Sequence, residues 1–224
     1  DNADMVTTVS WSWEKDFQRL GAKKTKTITN GFDSSDFADV TPKTDESKFV
    51  MTHLGTLSKY RFHKEFWDVI LEKYQADHDF KEHLKIQLVG NVDVAFQEYF
   101  NETGLMEAVE AIPHVGHTAA LGYAAGADVQ LLLLGDKSKS EGRIPAKVFE
   151  YMAAGKPILA YGQVPSDVQK IVEEAGAGEF VGFDDTDHLK KAVDQLYLSF
   201  KEGKTLEKPV GIDQFERRNL TEKL

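Results

Sequence analysis

The chain has 224 residues, 41% hydrophobic and 29% charged, with 27 Lys plus Arg against 37 Asp plus Glu and no cysteine. A net charge of -10 argues against nucleic acid or an anionic membrane surface as partner, since both need a massed basic face, and the lack of cysteine excludes a disulfide framework and a thiolate metal site. At roughly 100–200 residues per domain the length suits one domain and part of another, and the longest apolar run, Val129 to Gly135, is far short of the ~20 residues of a membrane span.

Hydrophobic periodicity alternates between short β-branched or aliphatic runs and longer amphipathic stretches, the pattern of strands separated by helices. The N-terminal unit has strands at 5–9 and 26–29 around a short helix carrying Trp11, Trp13 and Phe17, read as packing aromatics. About thirty residues cannot bury a core unaided, so this unit reads as the tail of a preceding domain. The polar, turn-rich stretch that follows Asp33 lacks either period and marks a boundary. Further strands are expected at 48–54, 85–89, 107–112, 129–134, 157–161 and 179–181, with helices at 64–75, 93–101, 118–125, 146–154, 166–175 and 187–201. Gly155 and Pro157 fit a helix C-cap and the residue beyond it. Regular alternation of this kind predicts an α/β fold, a Rossmann-like parallel sheet with helices on both faces. A linker at 202–211 precedes a final amphipathic helix at 212–224. Nothing at the start has the form of a signal peptide, and the first residue is Asp1, so the chain is read as a cytoplasmic piece of a longer protein.

The segment EGRIPAKVFEYMAAGKPILAYG, 141–162, follows the most hydrophobic strand and carries the clearest chemistry. Pro145 suits a helix start, leaving the amides of Ala146 and Lys147 free. In an open parallel sheet such an end faces the ligand crevice, where amides and dipole favour a pyrophosphate. Glu150 lies one turn on, and its carboxylate is placed to accept hydrogen bonds from vicinal ribose hydroxyls. A plain helix start with an i, i+3 Lys147 and Glu150 ion pair is the alternative.

Several strings now fall in a recognisable order: NGFD at 30–33, HLGTLSKYR at 53–61, LVG at 88–90, VGH at 115–117, ADVQLLL at 127–133 and IPAKVFEYMAAGKPILA at 144–160. Together they resemble the C-terminal, donor-binding half of GT-B retaining glycosyltransferases, the large family often called GT4. The resemblance implies that residues 1–33 end an N-terminal acceptor domain, 34–46 form a linker, 47–203 bind the nucleotide sugar, and 204–224 hold a linker and a crossover helix. It implies a metal-independent hexosyltransferase that uses a UDP- or GDP-linked donor and needs no cofactor, of the type used in polysaccharide biosynthesis. Its partner is the missing acceptor domain, with no nucleic acid and no transmembrane segment, and the full protein is cytoplasmic or membrane-peripheral. The fragment alone would bind nucleotide without turnover.

Residue by residue, the resemblance assigns Glu150 to the ribose, Gly55 to the close approach of backbone and phosphate, and Lys59 and Arg61 to the leaving pyrophosphate, because Thr56 fills the usual Arg place. It assigns Gly90 and Asn91 to the base and ribose pocket, Gly116 and His117 to the nucleobase edge, and Pro145, Ala146 and Lys147 to the anion site. The catalytic set is Glu150, Arg61 and Lys147. The family's other glutamate belongs eight positions before Glu150, where this chain has Gly142, with Glu141 one place off; this is read as a subgroup trait shared with P-x-K-x-x-E-Y members. Asp184, Asp185 and Asp187 formally contain an Asp-x-Asp metal pattern, but their place before a long helix favours capping. His114 and His117 have no third ligand nearby, so no metal site is expected. A nucleotide-sugar epimerase of the same fold and a non-catalytic binding or scaffold module stay open as alternatives. Neither a dinucleotide fingerprint nor a P-loop occurs.

Overall fold

A computed structural model describes residues 3–135, 141–204 and 208–223. The first unit is strand β1 (Val6–Thr8), helix α1 (Trp11–Arg19) and strand β2 (Thr25–Thr27), with the two strands paired in parallel. Ser10 caps α1 by accepting the Trp13 amide at 3.3 Å. The helix fully buries none of its residues, but Trp11 packs against the core and Trp13, 37% exposed, lies against Gly142, in line with the packing expectation, while Phe17 is 39% exposed.

The rest of the chain builds one six-stranded sheet. Its elements run β3 (Phe49–Leu54), α2 (Lys64–Ala76), α3 (His78–His83), β4 (Leu84–Val89), α4 (Val94–Thr103), β5 (Val109–Ile112), α5 (His117–Gly126), β6 (Val129–Leu133), α6 (Lys147–Ala154), β7 (Ile158–Gly162), α7 (Asp167–Glu174), β8 (Gly178–Gly182) and α8 (Thr186–Lys201). All strands pair in parallel, in the spatial order β5-β4-β3-β6-β7-β8. The α/β, Rossmann-like class expected from the alternation is the one observed. Strands β3, β6 and β7 are buried along their whole length, as strands covered on both faces must be. On one face Phe66, Trp67 and Ile70 of α2, Phe80 of α3, Phe96 and Phe100 of α4 and Leu189 and Val193 of α8 pack on the sheet; on the other, Phe149, Tyr151 and Met152 of α6 and Val168, Ile171 and Val172 of α7 do so.

Beyond the short helix α3, which no expected element covers, two elements differ from the sequence expectation. Residues 105–108, partly assigned to a strand, form a 3-10 turn, and the strand begins at Val109. Gly104 ends α4 in a left-handed conformation, and the turn that follows buries Leu105 and Ala108. The final helix is also interrupted. A 3-10 turn at Ile212–Phe215 is separated from α9 (Arg217–Thr221) by Glu216, which is extended because it bridges to Phe32. Phe32 donates its amide to Phe215 at 3.1 Å and accepts from Arg217 at 2.9 Å, and the Phe215 ring lies 5.2 Å from Phe149. Residues 205–207 of the expected linker lie outside the described residues. No helix among the described residues is long and apolar enough to cross a membrane.

Candidate functional site

Strand order reverses between β3 and β6: from β3 the chain builds outward through β4 and β5, then returns to place β6 on the other side of β3. In such sheets the connections beyond the C-terminal ends of these strands diverge and leave a crevice. Gly55 follows β3 and Gly90 follows β4, at φ +88° and +126°, a region where side chains are strained. They meet there. Gly55 donates its amide to Val89 at 2.6 Å, and a Cβ on Gly90 would stand 2.7 Å from the Gly55 carbonyl oxygen. Backbone is therefore bare at the mouth of the crevice.

Lys147, the first residue of α6, covers Gly55: a Cβ there would lie 2.5 Å from its Nζ. The ammonium is half-buried, and burial, helped by repulsion from Arg61, lowers its pKa to about 8, with Glu150 opposing. Arg61 is half-buried too, pushed below its usual value by burial and by Arg143, and donates to the Thr56 carbonyl at 3.3 Å. Two cations thus converge on one crevice without a carboxylate salt bridge to either among the described residues, which is unfavourable unless an anion joins them. Ala146 caps α6 and Pro145 stands just outside it, two places before the first helical residue, Lys147. The Ala146 and Lys147 amides have no hydrogen-bond acceptor among the described residues, as the first turn of a helix dictates.

Beneath the cations sits a residue that sequence reading passed over. His53, on β3, is fully buried, donates through Nδ1 to the Leu131 carbonyl at 3.0 Å, and leaves Nε2 without a partner. Burial, with Lys147 and Arg61 nearby, lowers its pKa to about 3, so it is neutral. Within an apolar strand it gave no periodic signal. Tyr151, buried on α6, accepts the Leu54 amide at 2.9 Å and ties the helix to β3.

Glu150 does reach the crevice side of α6, but its partner is His117 at 3.2 Å, not Lys147. That contact joins the start of α5 to α6 and brings the expected ribose carboxylate and base-edge histidine together. Gly116 precedes α5, exposed, with nothing within 4 Å of an added Cβ. Asn91 is exposed, and its carbonyl accepts the Leu57 amide at 2.8 Å. Lys59 is exposed, its ammonium lies 5.5 Å from the Tyr60 ring, and its amide donates to Asp93.

Two of the aspartates named as a metal pattern have structural partners. Asp185 caps α8 by accepting the His188 amide at 3.1 Å, and Asp184 donates its own amide to the Tyr161 hydroxyl. No three His, Asp or Glu side chains among the described residues converge on one point. Gly142, where the resemblance places a glutamate, is buried against α1. A Cβ there would stand 2.6 Å from Trp13 Cδ1 and 2.7 Å from Ser10 Oγ. Cavities lined by Lys156, Pro157 and Gly178 lie at the opposite, N-terminal edge of the sheet, away from this chemistry.

No family model matches the sequence, and no curated protein does. Solved structures match the fold. Sucrose-phosphate synthase from Thermosynechococcus elongatus superposes with a TM-score of 0.74 at 18% identity, over 99% of this chain and 57% of that one. HepE from Anabaena, solved in complex with UDP and glucose, gives 0.73 at 18% identity over 99% and 62%. A glycosyltransferase from Rickettsia africae gives 0.70 at 14% identity over 98% and 61%. This chain therefore spans about three fifths of the length of these proteins and has the Rossmann-like fold of GT-B glycosyltransferases.

Proposed function

We propose that the chain binds a nucleoside-diphosphate sugar at the β3/β6 crevice, as the donor-binding part of a retaining, metal-independent glycosyltransferase. The observation that carries this reading is the Lys147 ammonium lying over Gly55, which itself abuts Gly90, with Arg61 beside it and the α6 amides free. A diphosphate is the ligand that two half-buried cations, bare glycine backbone and a helix N-terminus satisfy at once. The nucleoside then runs toward α5, with Glu150 on the ribose hydroxyls and the Gly116 and His117 turn at the base.

In transfer, the barrier is the departure of the nucleoside diphosphate as positive charge grows on the sugar. Lys147, Arg61 and the amides of Ala146 and Lys147 stabilise the leaving charge, a task for preorganised donors and dipoles. The acceptor belongs to an N-terminal domain of which residues 1–33 are the end, so this chain alone binds without turnover. Gly142 does not argue for a decayed, non-catalytic module, because its lack of a side chain has a packing reason in α1. Titration calorimetry with UDP and GDP tests the reading. Heat of binding to one of them is expected, and silence from both in folded protein refutes it.

A further inference from the structure

We propose that Lys147 is a covalent modification site, acylated by small acyl phosphates whose phosphate is held by Arg61 and the free amides at the start of α6. The side chain is only partly covered, and its Nζ stands over bare backbone, since a Cβ on Gly55 would lie 2.5 Å away. Glu150, one turn along the helix, is engaged by His117 at 3.2 Å rather than by the lysine.

Acylation requires the neutral amine, and the surroundings favour that form. Burial, then repulsion from Arg61, lowers the Lys147 pKa to about 8, with Glu150 opposing. Of the other groups around the two cations, His53 and Tyr151 are buried and neutral, and Arg143 adds positive charge beside Arg61. At pH 7 roughly one Lys147 in ten is then neutral, against roughly one in three thousand for an ordinary lysine. Lower basicity weakens each neutral amine as a nucleophile and offsets part of that gain, as it does for thiols. Basicity alone therefore does not single this lysine out; the anion seat beside it does.

That seat is on the same residue. The amides of Ala146 and Lys147 have no acceptor among the described residues, the helix start favours an anion there, and half-buried Arg61 lies beside them. A phosphate so held is one lysine side chain from Nζ, which places the carbonyl carbon of an acyl phosphate between the two and makes the attack local. The nitrogen bonds to that carbon, the C–O bond to phosphate breaks, and phosphate leaves with the electron pair, its charge met by Arg61 and the amides. The surplus proton on nitrogen goes to water. The products are an uncharged lysine amide and inorganic phosphate. An amide over Gly55 removes one of the two cations and fills the bare backbone, so acylation shuts the crevice to a diphosphate; that consequence, unlike the modification itself, rests on the proposed donor site.

Incubation of the chain with acetyl phosphate, followed by peptide mass spectrometry, compares Lys147 with the exposed lysines Lys15, Lys23 and Lys24. Lys147 should be acetylated about tenfold or more faster than any of them at pH 7, with a rate that reaches half its maximum near pH 8, and inorganic pyrophosphate should protect it. The control reagent is p-nitrophenyl acetate, which carries no phosphate. Arg61→Gln removes a repulsion and so slows both reagents at Lys147, but the acetyl phosphate rate should fall about fivefold further. Modification no faster than at the exposed lysines, or an unchanged ratio between the two reagents in Arg61→Gln, overturns the proposal; so does a lack of pyrophosphate protection in the parent chain, which needs no variant to fold. Calorimetry keeps the donor reading separate. UDP or GDP bound with Lys147 unreactive sinks only the modification, and rapid acetylation without nucleotide binding sinks only the donor site. Where both hold, the acetylated chain should bind the nucleotide about tenfold or more weakly, and unchanged affinity refutes a shut crevice.

Discussion

Lys147→Met separates the cost of the basic cluster from its use. In the ligand-free protein burial and Arg61 lower the Lys147 pKa from 10.5 to about 8. That difference corresponds to ~3 kcal/mol held against the charged form. Methionine keeps most of the apolar stem in contact and removes the charge. The variant is therefore expected to be more stable than the parent at pH 7, by about 1–3 kcal/mol in urea unfolding. The sign with pH follows from the lowered pKa. Parent and unfolded chain are both protonated at this residue below pH 8, so the penalty is full there. Between pH 8 and 10.5 the native lysine loses its proton first, the parent gains stability, and the advantage of Lys147→Met shrinks. Binding moves in the opposite direction. Loss of a charge-assisted contact to a diphosphate costs about 1.5–3 kcal/mol, so the Kd for UDP or GDP should rise about tenfold or more. A variant that is less stable, or that binds the nucleotide as tightly as the parent, refutes the reasoning.

Other outcomes follow from the same geometry. Glu150→Ala, which also frees His117, should weaken UDP or GDP binding about tenfold while leaving binding of inorganic pyrophosphate unchanged in calorimetry; equal loss for both would take Glu150 off the ribose. His53 stays neutral in the native state down to about pH 3, whereas the unfolded chain protonates it near pH 6.5, so it lowers stability as pH falls through that window by up to about 1.4 kcal/mol per pH unit. His53→Gln should flatten the pH dependence of urea unfolding there, and an unchanged slope would contradict a buried neutral histidine. Asp185→Ala should cost about 1 kcal/mol of stability through the lost cap, equally with and without Mg²⁺ or Mn²⁺, and a metal-dependent loss would contradict the capping role.

The strands and helices of the main sheet were readable because β3, β6 and β7 are continuous apolar runs and the helices between them are amphipathic. Gly55, Gly90 and the Pro145–Lys147 helix start were readable for a related reason: each directly follows or precedes such an element. What they do together was not readable. Lys147 meets Gly55 because β6 returns beside β3, and that adjacency belongs to the topology, the partners being 92 positions apart. Helix α9 breaks at Glu216 because of a bridge to Phe32 at the other end of the chain, for which amphipathic spacing holds no signal. Gly142 is the clearest case. In sequence it is a missing carboxylate; in space it is the gap that admits Trp13 of α1.

The proposed seat of the nucleoside diphosphate is the bare backbone of Gly55 and Gly90 at the N-terminus of α6. Two-dimensional NMR of the ¹⁵N-labelled chain, titrated with UDP and GDP, tests it residue by residue. Saturable shifts concentrated at Gly55, Gly90, Gly116, Lys147 and Glu150 are expected for at least one nucleotide. Shifts centred instead on Pro157, Gly176 and Gly178 at the opposite edge of the sheet, or none at all, would contradict it.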